Sequence, residues 1–154
     1  VFRQTMFAEF EWRAHQMVEQ GRPVTADALN ALYLDLLRLY HGHAEGVMTV
    51  DELYAVEWAY IPHFYRNFYV FSYSTGLISS TALSELVLQK GEPARKAYLE
   101  ALSMGGSAYP LDILRHAGVD LLKPEPYALA NRVFDTRLKM AEEIVARMKE
   151  KGEL

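Results

Sequence analysis

The sequence predicts an all-α fold. Apolar residues recur at spacings of three and four along Met6, Phe7, Phe10, Ala14 and Met17, the period of a helix face. Leu29, Leu32, Tyr33, Leu36, Leu37 and Tyr40 repeat the same signature. No stretch alternates with period two between turn signals, so no strand is predicted.

The first helix should end near Gly21 and Pro23. Thr25 then suits an N-cap for the second, and Gly42 follows as its stop. Thr49-Val-Asp-Glu52 has capping-box form and should open a short helix through about Trp58, interrupted at Ile61-Pro62. Pro62 fits the first turn of a new helix, expected to run from Phe64 to Gln89 and to stop at Gly91. Pro93 to Met104 reads as a further helix closed by Gly105-Gly106-Ser107, and Pro110 to His116 and Pro126 to Lys149 complete the set. No internal repeat emerges. Residues 1–154 are expected to form one helical domain or fragment. Because Val1 and the following residues are already in helical period with no capping residue ahead, the start reads as the middle of a longer element.

Composition narrows the function. An apolar fraction of 51% supports a sizeable core. A net charge of −4, with scattered cations, gives no basic stripe for nucleic acid. The chain has no cysteine, hence no disulfide, thiolate metal site or thiol nucleophile. That fits a reducing compartment, and no run is long and apolar enough for a membrane helix. The expectation is a soluble, cytoplasmic protein.

One segment is unusual. Trp58 to Tyr73 holds eight of the nineteen aromatic residues, with His63 and Pro62, in sixteen positions. Phenols and imidazoles need hydrogen-bond partners once they leave water, so Phe and Leu would pack a core at lower cost. On one continuous helix Phe64, Phe68 and Phe71 share a face, with Ile78 near the same line, and read as core. Tyr65, Tyr69, Ser72, Tyr73, Gly76 and Ser80 gather on an adjacent face. Tyr69 and Tyr73 are one turn apart, spaced to contact neighbouring atoms of one ligand, and Gly76 leaves room beside them. The commoner use of such a stripe is packing against a neighbouring helix with hydroxyls at the domain edge. His63 would stand roughly 15 Å along the axis from Tyr73 on a straight helix, and joins the tyrosines only if the chain bends around it.

Other motifs are absent. None of the five histidines is followed by glutamate, so H-E-x-x-H does not occur and no metal site closes. His41-Gly-His43 reads as a helix end, Gly105-Gly106-Ser107 lacks the spacing of a phosphate loop, and there is no G-x-S-x-G elbow.

Several stretches together resemble oligoendopeptidase F of the thimet-oligopeptidase-like zinc metallopeptidases. They are Phe2-Arg-Gln-Thr-Met-Phe-Ala-Glu-Phe-Glu11, Ile61-Pro-His-Phe-Tyr-Arg-Asn-Phe-Tyr69 with Tyr73-Ser-Thr-Gly76, Ser103-Met-Gly-Gly-Ser107, and Ala117-Gly-Val-Asp120 with Pro124-Glu-Pro126. The resemblance covers essentially the whole chain and implies the C-terminal part of a helical peptidase. It implies zinc in the intact enzyme, with ligands ahead of Val1 and none in this chain. His63, Tyr69 and Tyr73 would match the residues that hydrogen-bond the substrate carbonyl as it becomes an oxyanion, with Tyr65 a competitor for the tyrosine role. Gly76 would help line the substrate site, and Gly105 and Gly106 a mobile loop near the substrate channel. Short peptides would be the substrates, the missing zinc-binding part of the polypeptide the partner, and a homodimer one outcome of the uncovered face. Alone, the chain would be inactive. A non-catalytic helical interaction module is the competing class.

Overall fold

A computed structural model describes residues 1–153. Six α-helices follow one another: α1 (Phe2–Glu19), α2 (Ala26–Tyr40), α3 (Phe71–Lys90), α4 (Glu92–Ser103), α5 (Pro110–His116) and α6 (Glu125–Glu150). Two 3₁₀ segments, Glu52–Tyr60 and Pro62–Tyr65, lie between α2 and α3. Among the described residues there is no strand, so the all-α class holds. By its internal contacts the chain divides into two compact units, Val1–Ser74 and Thr75–Leu154.

In the first unit, the stripes of α1 and α2 meet in one core of Met6, Phe7, Phe10, Tyr33, Leu36, Leu37, Val50, Ile61 and Val70. Its centre is aromatic. Phe10 meets Tyr33 edge-on at 5.1 Å and Phe64 at 5.2 Å, while Phe7 meets Phe64 at 5.6 Å. Fully burying a ring of this size contributes roughly 1.5 to 3 kcal/mol, and edge-on pairing adds to it. Thr25 caps α2 as its sequence predicts, its hydroxyl oxygen accepting from the Ala28 amide at 3.2 Å.

Polar groups brace this core. The buried Tyr33 hydroxyl donates to Glu57 Oε2 at 2.7 Å, and the Arg3 guanidinium pairs with the other oxygen of Glu57. Burial first, and then the Glu57 carboxylate, push the Tyr33 phenol well above its ordinary pKa. The Trp58 indole donates to Asn30 Oδ1 at 2.8 Å, fixing the first 3₁₀ segment on α2.

Two boundaries differ from the sequence reading. The expected capping box at Thr49 is not the cap: Asp51 Oδ1 accepts from the Leu53 amide at 2.8 Å, and the segment it opens is 3₁₀. The expected continuous helix from Phe64 to Gln89 is broken. Pro62 does open a turn, but it ends at Tyr65, and α3 starts only at Phe71. Between them Phe68 takes φ +52°, a value that an α-helix cannot contain. The single apolar face drawn through Phe64, Phe68 and Phe71 therefore does not exist. Phe64 packs on the core, whereas Phe68 and Phe71 are each 48% exposed.

In the second unit, Ile78 and Ala82 of α3, Ala101 of α4, and Ala117 and Val119 after α5 are buried. His116 Nε2 lies 3.1 Å from Glu100 Oε2, linking α5 to α4. Gly118 takes φ +95°, where a side chain is strained, and directs the chain from α5 towards α6. Along α6 the apolar side chains of Phe134, Leu138, Met140, Ile144 and Val145 are exposed.

Candidate active site

The bend at Phe68 is what brings His63 to the tyrosines. His63 sits in the second 3₁₀ turn, Tyr69 follows the bend, and Tyr73 lies in the first turn of α3. The His63 and Tyr69 rings stack nearly parallel, 10° apart in plane with centroids at 6.0 Å. Tyr73 stands edge-on to both, at 5.3 Å from His63 and 5.5 Å from Tyr69. The two phenol oxygens are 3.0 Å apart, a hydrogen bond in which either can donate.

The bend and the start of α3 are anchored to the core and to α1. Val70, wholly buried, separates Tyr69 from α3 and pins the chain to the core. Ser74 Oγ lies 2.9 Å from Thr5 Oγ1, tying the start of α3 to α1. Phe68 is held from the same helix. Glu11 Oε1 accepts from its amide at 2.7 Å, and the His15 ring packs on the Phe68 ring at 4.6 Å.

The cluster offers donors on an open surface. Tyr69 and Tyr73 are 38% and 44% exposed, so a ligand can reach both hydroxyls. The hydrogen bond with Tyr69 holds the Tyr73 phenol above its ordinary pKa, opposed by the nearby Arg66 cation. Tyr73 is thus a neutral donor at physiological pH. Arg66 lies 5.6 Å over the Tyr69 ring, a cation–π contact. His63 Nδ1 is buried with no hydrogen-bond partner among the described residues.

The other predicted residues have surroundings of their own. Tyr65 is 77% exposed and its hydroxyl donates to the Ala59 carbonyl at 2.9 Å. Gly76, Gly105 and Gly106 belong to the second unit. A Cβ at Gly76 would meet nothing within 4 Å, and Gly105 takes φ +54°, which favours glycine. Among the described residues no group of three or more His, Asp or Glu side chains is placed to hold a metal ion.

Sequence reasoning missed Glu11 and His15. One signal was available: Glu11 lies one turn after Phe7 and beside Phe10, a carboxylate on an apolar helix face. Only 5% of it is exposed.

Comparison with known proteins gives this chain a family. The chain is 43% identical over 150 residues to oligopeptidase PepF of Bacillus subtilis, covering 97% of this chain and 22% of that protein. It is 42% identical over 145 residues to the plasmid oligoendopeptidase F of Lactococcus lactis subsp. cremoris, covering 94% and 24%. The crystal structure of oligoendopeptidase-F from Enterococcus faecium superposes with a TM-score of 0.86 at 38% identity, over 96% of this chain and 28% of that one. The chain thus spans about a quarter of the length of the relatives it matches. The profile of peptidase family M3 matches residues 1–133, more than four fifths of the sequence, and this chain belongs to that family.

Proposed function

We propose that this chain is the C-terminal part of an oligoendopeptidase F-like zinc peptidase of short peptides, and that it supplies oxyanion-stabilising hydrogen bonds and a wall of the substrate channel. The observation that carries the reading is the packing of the His63, Tyr69 and Tyr73 rings into one cluster in which both tyrosines are exposed. When water adds to a peptide carbonyl, its oxygen gains negative charge, and donors fixed in place beforehand stabilise that charge without reorganising. Tyr73 is suited to this role because its phenol is exposed and, with a pKa above the ordinary phenol value, carries its proton at physiological pH. The Tyr69–Tyr73 hydrogen bond leaves one hydroxyl proton of the pair to point outward.

Zinc, expected of the whole enzyme, would supply Lewis-acid activation of the attacking water from ligands outside this chain. Exposed apolar side chains on α6 and on Leu39 and Val47 support a second role, as a surface for the rest of the polypeptide. In the full-length enzyme, Tyr73→Phe should lower kcat by about 10² to 10³ with a smaller change in KM, the cost of one oxyanion donor. A change confined to KM would instead make Tyr73 a substrate binder. The purified chain alone should cleave no quenched fluorescent peptide, and zinc-dependent cleavage by it would overturn the reading.

A further inference from the structure

Phe68 is the one non-glycine residue at positive φ among those described. For a residue with a β-carbon this region is disfavoured, so a contact from outside the bend has to hold it. The next residue is Tyr69. Any change in the bend therefore turns the Tyr69 ring against His63 and moves its hydroxyl relative to Tyr73.

The contact comes from Glu11 on α1. Its carboxylate is almost fully buried, and among the described residues it has no cation within ion-pair distance. Oε1 accepts the Phe68 amide at 2.7 Å, within the range of a charge-assisted bond. Burying a carboxylate without a counter-charge is costly, and a leucine at this position of the α1 stripe would pack the core with no such cost. The stabilisation that Glu11 does provide is directed at one backbone amide, in the strained residue next to Tyr69. His15, one turn further along α1, covers the Phe68 ring from the same side.

We infer that Glu11 is a positioning residue: its carboxylate fixes the bend at Phe68 and so sets the Tyr69 ring against His63 and its hydroxyl against Tyr73. The inference rests on the oxyanion role proposed above. It assigns no contact with substrate to Glu11.

The test uses the full-length enzyme. Glu11→Leu should lower kcat by about 10- to 100-fold with KM changed less than about 3-fold, as expected when a reacting-site group is displaced by about an ångström. Glu11→Gln keeps an acceptor oxygen and should retain most of the activity. In a Tyr69→Phe background the leucine variant should cost less than about 3-fold, because the two changes act on one hydroxyl. Phe68→Gly, which takes positive φ freely, should restore part of the kcat lost in the leucine variant. Should that variant not fold, Glu11→Asp draws the carboxylate back by about one 1.5 Å bond and should lower kcat by about 3- to 10-fold. An unchanged kcat in the leucine and aspartate variants overturns the inference, as do losses from Glu11→Leu and Tyr69→Phe that simply multiply. If Tyr73→Phe lowers kcat in the same preparations, the oxyanion reading survives that failure. If Tyr73→Phe leaves kcat unchanged, the oxyanion reading falls instead.

Discussion

The phenol oxygens of Tyr69 and Tyr73 lie 3.0 Å apart, with Tyr69 directly after the bend at Phe68 and Tyr73 in the first turn of α3. Their coupling has a measurable consequence. If a neutral Tyr73 is the donor, activity is lost as pH rises through its pKa, which the Tyr69 hydrogen bond raises above the ordinary phenol value of 10.0. Tyr69→Phe removes the leading cause of that rise, so the alkaline limb of kcat should move to lower pH. A pH–rate profile of the two enzymes checks it, and an unmoved limb would exclude Tyr73 as the titrating group.

Burial also raises two other phenols. Tyr40 is pushed up to about 12, by burial first and then by its hydrogen bond to Glu9, and Tyr33 is raised further. Because the native state keeps protons that the unfolded chain releases near pH 10, this stability is complete below pH 10 and falls as pH rises towards 12. Both should ionise above the ordinary phenol range. Phenolate absorbance and urea unfolding followed from pH 9 upward would show their release together with the loss of structure.

Removing the Tyr33 hydroxyl leaves Glu57 half-buried with Arg3 as its remaining partner. Tyr33→Phe should destabilise the chain by about 1.5 to 3 kcal/mol, the usual value of a hydrogen bond to a charged group. Equilibrium denaturation measures it, and a difference below about 0.5 kcal/mol would mean that the carboxylate finds water instead.

Caps give a sharper contrast. Thr25→Ala should cost about 0.5 to 2 kcal/mol and Asp51→Ala about 1 kcal/mol, whereas Thr49→Ala should stay within about 0.5 kcal/mol. The sequence pattern would have assigned the second loss to Thr49. Three thermal melts decide between the pattern and the geometry.

The exposed side of α6 predicts association. Phe134, Leu138, Ala141 and Val145 recur at helical spacing and are all exposed. In the isolated chain this stripe should drive self-association, measurable by sedimentation, and Leu138→Lys should suppress it. Self-association that persists in the lysine variant would move the contact to another face.

The first two helices could be read from the sequence because each buries a stripe that repeats every three or four residues, as Leu29 to Tyr40 does. The proline and glycine stops at Pro23, Gly42 and Gly91 marked the ends. The bend was not readable in the same way. Arg66 to Val70 carries helix-compatible residues, and its one turn former is Asn67. What breaks the helix there is a contact from Glu11, 57 positions earlier in the sequence. Local propensity does not see such a partner. For the same reason Phe68 was assigned to the core, although its ring packs on His15 at the surface.

The dependence of the bend on α1 limits how the cluster can be transplanted. A peptide covering residues 58–80 would carry every ring and every hydroxyl, yet it would lack Glu11, His15 and Thr5. It would be free to close into the straight helix that its sequence favours, with His63 and Tyr73 far apart. The arrangement of the three rings is thus a property of the folded first unit, acquired when α1 docks, and cannot be carried by the segment that supplies the rings.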